Sequence, residues 1–305
     1  MKVLVTGGAG FIGSNVVKLL EQNGAKVFVL DDFISANFKN LEGTNAEVIC
    51  ANVVDKNIFA KLPKINAIIH LAAITDTTLK NNATMVMVNF EGFKNVFYYC
   101  AKKKIKLVYA SSAAVYGDGP IPMKETQKPK PLNIYGYSKY LCDCFAYKYL
   151  NKKILPLLVG LRYFNVYGPG EYHKKSAASM IYQLYLQMKQ DKRPKIFKWG
   201  EQKRDFIYVK DVARLTVDAL NLKQDVIVNV GTGQARSFND IINCLNKALN
   251  KNLEPDYFDN PYSEVYQNFT EADTTLLKKT FKNRTMFSLE EGISDYVTNY
   301  LTKKV

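Results

Sequence analysis

The chain has 305 residues, 47% of them hydrophobic, which is enough for one large domain or a large domain with a smaller lobe. No apolar run reaches the roughly 20 residues of a membrane span, and Lys2–Val5 leads straight into a glycine motif with no room for a secretory leader, so a cytoplasmic protein without a membrane partner is expected. The net charge of +14 is spread over scattered lysines, and the densest run (Lys102, Lys103, Lys104, Lys106) falls where a helix should end and its dipole favours cations; this argues for a diphosphate-bearing substrate rather than nucleic acid.

Short apolar runs predict strands at 2–5, 27–30, 47–50, 67–71, 107–110 and 154–163. Longer patterns between them predict helices at 11–22, 83–103 and 135–151. Strands alternating with helices imply a parallel sheet covered on both faces. In the second half, 176–190 and 238–249 read as helices and 226–230 as a strand that ends in the turn Gly231-Thr232-Gly233. Residues 256–268, rich in Pro, Asn and Tyr, read as binding loops. The five cysteines, odd in number and without a histidine cluster, read as reduced thiols, and no metal site is expected.

The first strand runs into Gly7-Gly8-Ala9-Gly10-Phe11-Ile12-Gly13 and then a helix. In GxxGxxG, Gly7 allows the tight turn, Gly10 lets backbone approach a pyrophosphate, and Gly13 lets helix and strand pack closely. The pyrophosphate would rest on the helix N-terminus at Phe11 and Ile12. Asp31 and Asp32 end the second strand, where an acid binds the adenosine ribose; they favour NAD, while Lys39 nearby keeps NADP open. Asn52 and Val53 would frame the adenine, and Leu71, Ala72 and Ala73 would line the cofactor, with Asn89 a further contact. His70 reads as structural. The fold class that follows is α/β, a Rossmann-like doubly wound parallel sheet with a smaller C-terminal substrate-binding lobe. The expected division is 1–166 with 204–234 and a C-terminal helix at about 288–301 for the cofactor domain, and 167–203 with 235–287 for the lobe.

Tyr135 and Lys139 form YxxxK at the start of a helix, and positions i and i+4 share a face. An ammonium and a cationic ring beside a phenol stabilise its anion, so Tyr135 can exchange a proton with a sugar hydroxyl while hydride moves. Ser112, in Ser111-Ser112-Ala113-Ala114-Val115-Tyr116-Gly117, could hold the same hydroxyl.

With these motifs in this order, the chain resembles the extended short-chain dehydrogenases/reductases over nearly its whole length. Within them it is most similar to the ADP-glycero-manno-heptose 6-epimerases, through Tyr135–Lys139, Arg162–Pro169, Glu171, His173-Lys174, Ala178–Met180, Lys203–Val209, Asn229–Gly233 and Tyr266-Gln267. The resemblance implies bound NAD(P), a nucleotide-diphosphate sugar substrate, and Lys174 as a second acid/base facing Tyr135 across the sugar. It implies substrate contacts from Asn165, His173, Arg204 and Tyr266, and a homo-oligomer formed through the helices at 83–103 and 135–151. The chain departs from the family at Val265 and Gly170, where arginine is common. A UDP-hexose 4-epimerase remains an alternative, since it shares Ser112, Tyr135 and Lys139. A 4,6-dehydratase would need carboxyl residues where Ala113 and Ala114 stand, and a non-catalytic NAD-binding protein would usually have lost the Tyr-Lys pair.

Overall fold

Strand β1 (Lys2–Thr6) is an interior strand of a seven-stranded parallel sheet, with Val3, Leu4 and Val5 fully buried. The structure is a computed structural model that describes residues 1–76, 81–260, 267–282 and 284–302. To one side of β1 lie β2 (Lys26–Asp31) and β3 (Glu47–Cys50). To the other lie β4 (Ala67–His70), β5 (Lys106–Ser112), β6 (Leu158–Tyr163) and, at the far edge, a strand of the second half described below. The order reverses between β1 and β4, which opens a crevice at the carboxyl ends of the strands.

One face of the sheet is covered by α1 (Phe11–Gln22), which packs Val16, Val17 and Leu20 against it. The other face takes α3 (Gly92–Lys103) and α4 (Ile134–Tyr147), through Phe93, Val96, Phe97, Cys142 and Phe145. The helix expected at 83–103 is interrupted: α2 (Asn82–Val86) passes through a π turn at Met87–Glu91 before α3 begins. The wider turn shifts the helical phase and carries Asn89 inward.

After β6 the chain forms β7 (Asn165–Tyr167), α5 (Met180–Lys189), β8 (Lys195–Phe197) and β9 (Lys203–Tyr208). Next comes α6 (Val209–Asp218), which joins α1 on its face of the sheet, and β10 (Val226–Val230), the edge strand beside β6. Helix α5 starts four residues later than expected, because Ser179 caps it by accepting from Tyr182 N at 3.2 Å. Neither β9 nor α6 was expected, since they join without a turn. The remaining elements are β11 (Ala235–Ser237), α7 (Phe238–Leu249), β12 (Asp256–Phe258), α8 (Thr275–Phe281) and α9 (Leu289–Tyr296).

A separate apolar cluster joins α5, α7 and α9 through Ile181, Leu184, Ile241, Leu245 and Ile293. The C-terminal helix packs against α7 and β9 in this cluster. No helix among the described residues is long and apolar enough to cross a membrane.

Candidate active site

The glycine motif closes on itself between β1 and α1. A Cβ on Gly13 would lie 2.0 Å from the Gly7 carbonyl oxygen, so only glycine fits there. No side chain caps the start of α1, which leaves its first-turn N–H groups oriented toward an anion. Phe11 and Ile12 turn their side chains into the apolar clusters, so they can offer a ligand only backbone N–H groups. Asp31 is buried and accepts from Ala9 N and Phe33 N, each at 3.0 Å. The expected ribose ligand is therefore also the brace of the glycine loop, and each oxygen keeps a second lone pair for a hydroxyl. Burial pushes its carboxyl above the usual range, against the backbone donors that lower it. Asp32 accepts from Asn52 Nδ2 at 2.9 Å, which brings two of the expected nucleoside contacts together. Val53 is different: its side chain is buried in the core against Gly92, leaving only backbone for an adenine. Lys39 is exposed and lines a crevice along Ser14 and Lys18 of α1.

At the end of β4, His70 is 3% exposed and its Nδ1 lies 2.7 Å from Thr6 Oγ1. Burial, with Lys139 adding to it, holds its pKa down to about 3, so the ring is neutral and structural, as read from the sequence. Leu71, Ala72 and Ala73 follow it at the crevice, half-buried. Asn89, a candidate cofactor contact, is also held from within the protein. It is 1% exposed; its oxygen accepts from Ile74 N at 2.7 Å, and its amide donates to Ile74 O at 3.0 Å and to Ser138 Oγ at 2.9 Å. Both amide hydrogens are used inside the protein, so Asn89 ties the β4 loop to α4 beside Lys139.

Asn133 caps α4 by accepting from Gly136 N at 2.8 Å, which sets Tyr135 in its first turn. Lys139, one turn on, is 3% exposed and donates from Nζ to Ala110 O at 2.9 Å. Ser112 ends the same strand β5 and caps the short turn Ala113–Val115 by accepting from Ala114 N at 3.2 Å. Three of the four expected catalytic groups, Ser112, Tyr135 and Lys139, thus stand on two elements locked together by Lys139. Four residues further along α4, Asp143 accepts from Tyr109 Oη at 2.9 Å and Ser111 Oγ at 3.0 Å.

The substrate candidates come from the segment after β6. Glu171 is buried and accepts from Gly168 N at 3.0 Å, Ser179 N at 2.6 Å and Ser179 Oγ at 2.9 Å, which folds 168–179 into a compact turn. That turn holds Lys174 with its Nζ 5.7 Å from the centre of the Phe11 ring, at the start of α1. Burial lowers the Lys174 pKa from its ordinary value, and nearby Glu171 only partly offsets this. His173 Nδ1 lies 3.2 Å from Asn40 Nδ2, and burial lowers its pKa as well. Asn165 is exposed and accepts from Thr270 Oγ1 at 3.1 Å. Arg204 is buried and donates from Nη1 to Lys203 O at 2.9 Å. Its neighbour Asp205 is met by Thr232 N, Thr232 Oγ1, Gly233 N and Ala272 N at 2.6–3.0 Å. Tyr266 and Val265 lie outside the described residues. The sequence reading missed Asn15, Asn40 and Asp143, single polar residues that carry no local motif.

Residues 3–231 match the profile of the family described as NAD dependent epimerase/dehydratase. The chain is 39% identical to an ADP-L-glycero-D-manno-heptose-6-epimerase of Fusobacterium nucleatum, over 99% of this chain and 98% of that protein. Its fold matches the crystal structure of the Helicobacter pylori ADP-L-glycero-D-manno-heptose-6-epimerase with a TM-score of 0.92 and 37% identity, covering 99% of this chain and 96% of the other. It also matches a Thermotoga maritima UDP-glucose 4-epimerase with UDP-glucose, with a TM-score of 0.91, 29% identity and 99% of both chains covered.

Proposed function

This chain belongs to the NAD dependent epimerase/dehydratase family, and we propose that it inverts C6 of an ADP-glycero-manno-heptose by oxidising that carbon and reducing it again from the other face. The choice of carbon is supported by Lys174, whose Nζ lies 5.7 Å from the Phe11 ring centre where α1 opens at the cofactor loop, read as a second proton carrier in addition to Tyr135 and Lys139. A 4-epimerase can rotate its whole sugar and work with one base. Inversion at C6 presents the oxygen in two orientations, and a proton carrier on each side serves both.

The residues present fit NAD: a glycine cradle that a Cβ would fill, an uncapped helix start, and acids at the end of β2. When bound, NAD supplies the hydride acceptor and donor. Tyr135 takes the hydroxyl proton as hydride leaves C6, and Lys139 steadies the phenolate. Ser112 orients the same oxygen. Lys174 exchanges the proton when the sugar presents its other face. Arg204 offers its fork of donors to the diphosphate, and Asn165, His173 and Tyr266 hold the sugar nucleotide. We read 1–166 with 204–234 and the C-terminal helix at about 288–301 as the cofactor-binding part and 167–203 with 235–287 as the substrate lobe. The same reading places the enzyme in the cytoplasm as a homo-oligomer, with exposed Met87, Tyr98 and Tyr137 of the α2–α4 face as the contact.

The test is a panel of nucleotide sugars incubated with the holoenzyme, with product stereochemistry read by NMR. Inversion of ADP-heptose at C6 is the expected result. Inversion of UDP-galactose at C4 with ADP-heptose ignored overturns the substrate.

A further inference from the structure

Two asparagines 25 positions apart make the same kind of bridge. Asn15, on α1, donates its amide to Phe11 O at 3.0 Å and to Pro169 O at 2.8 Å. Asn40, 4% exposed, donates to Ala9 O at 3.0 Å and to Gly170 O at 3.2 Å, with His173 Nδ1 also 3.2 Å away. In each case one carbonyl belongs to the glycine loop or the first turn of α1, and the other to the Pro169-Gly170 turn. Two carbonyls cannot bond to each other, because both only accept. A carboxamide NH2 carries two hydrogens on one atom and can donate to both, whereas a carboxylate of the same shape has none.

The bridges need close approach. Gly170 has φ +95°, and a Cβ on it would lie 3.3 Å from both Asn15 Nδ2 and Ser14 Oγ, so the turn sits directly on α1. Lys174 follows four residues later, its N–H bonded to Glu171 O at 2.9 Å. Its ammonium stands over the ring of Phe11, the residue whose carbonyl takes Asn15.

We propose that Asn15 and Asn40 are positioning residues for Lys174: they fasten the turn that carries it to the dinucleotide loop, so that amine and cofactor are held in one register. This rests on Lys174 acting as the second proton carrier. If the bridges are cut, the turn lifts from α1, Lys174 regains water, and its affinity for protons rises toward that of an ordinary lysine.

The experiment compares Asn15→Ala, Asn40→Ala and Asn40→Asp with wild type and with Lys174→Met. Each asparagine variant should lower kcat for net epimerisation by about 10²-fold, the scale of a 1 Å misplacement, with KM little changed. The acid limb of its pH profile should move to higher pH. In the absence of substrate, trypsin should cut after Lys174 and Lys175 faster than in wild type. In the Lys174→Met background, Asn40→Ala should cost nothing further. Asn15 is only part-buried, so Asn15→Ala carries the test if the Asn40 variants do not fold. Asparagine variants with wild-type turnover, pH limb and trypsin resistance overturn the proposal, as does a full additional loss on top of Lys174→Met. Unchanged epimerisation in Lys174→Met alone instead removes the functional reading on which the proposal stands.

Discussion

Arg162 Nε donates to Asp143 Oδ2 at 2.8 Å, and each of the two side chains is 1% exposed. Arg162 Nη1 goes on to Tyr116 Oη at 2.7 Å, and Tyr116 Oη to Asn229 Oδ1 at 2.5 Å. One ion pair therefore binds α4, the helix of Tyr135 and Lys139, to β5, β6 and β10. Asp143→Ala would strand a buried guanidinium, at a cost of about 3–5 kcal/mol. Replacing both partners, as Asp143→Leu with Arg162→Met, should cost less, because no unpaired charge remains. Urea denaturation of the three proteins measures both; a single variant as stable as wild type would show that the pair contributes nothing.

Tyr135→Phe keeps the ring and removes the proton. Turnover should fall by about 10²–10⁴-fold while NAD still binds. Steady-state rates with a cofactor titration check it, and wild-type turnover in this variant would take Tyr135 out of the reaction.

His70 makes stability depend on pH. Its pKa is about 6.5 when unfolded and about 3 when folded, so the unfolded chain binds the proton more readily. The stability contributed by the neutral ring is complete above the unfolded value and is lost as pH falls toward the folded one, by about 1.4 kcal/mol per unit. His70→Asn should flatten that part of a stability curve measured by urea unfolding from pH 7 down to 4. A variant with the wild-type slope would assign the slope to other groups.

Apo protein titrated with each cofactor should bind NAD more tightly than NADP. Asp31 and Asp32 place negative charge at the end of β2, while Lys39 is exposed on a turn beside α1. Tighter binding of NADP would mean that Lys39 outweighs the acidic pair.

The dinucleotide half was legible because buried parallel strands read as unbroken apolar runs. Lys2–Thr6 and Ala67–His70 fall where the pattern puts them. The π turn at Met87–Glu91 left no mark in the pattern, because a helical reading assumes an unbroken period. Lys203–Asp218 holds a strand and a helix joined at Tyr208 with no glycine, proline or other break between them, so the switch from period two to period 3.6 left no mark. The catalytic Tyr-Lys spacing is local and was visible. Asn15 and Asn40 reach partners 154 and 130 positions away, and only the folded chain brings them there.

Strand β6 is buried along its whole length, and its outer neighbour β10 comes from Val226–Val230, more than sixty positions later. During synthesis, a chain that has completed Leu158–Tyr163 but not yet Val226–Val230 would leave that apolar strand with an open edge, the kind that recruits other chains. Folding of the sheet cannot finish until Val226–Val230, about three quarters of the way along the chain, has left the ribosome. A truncation just before Val226 should therefore be found in inclusion bodies rather than in the soluble fraction.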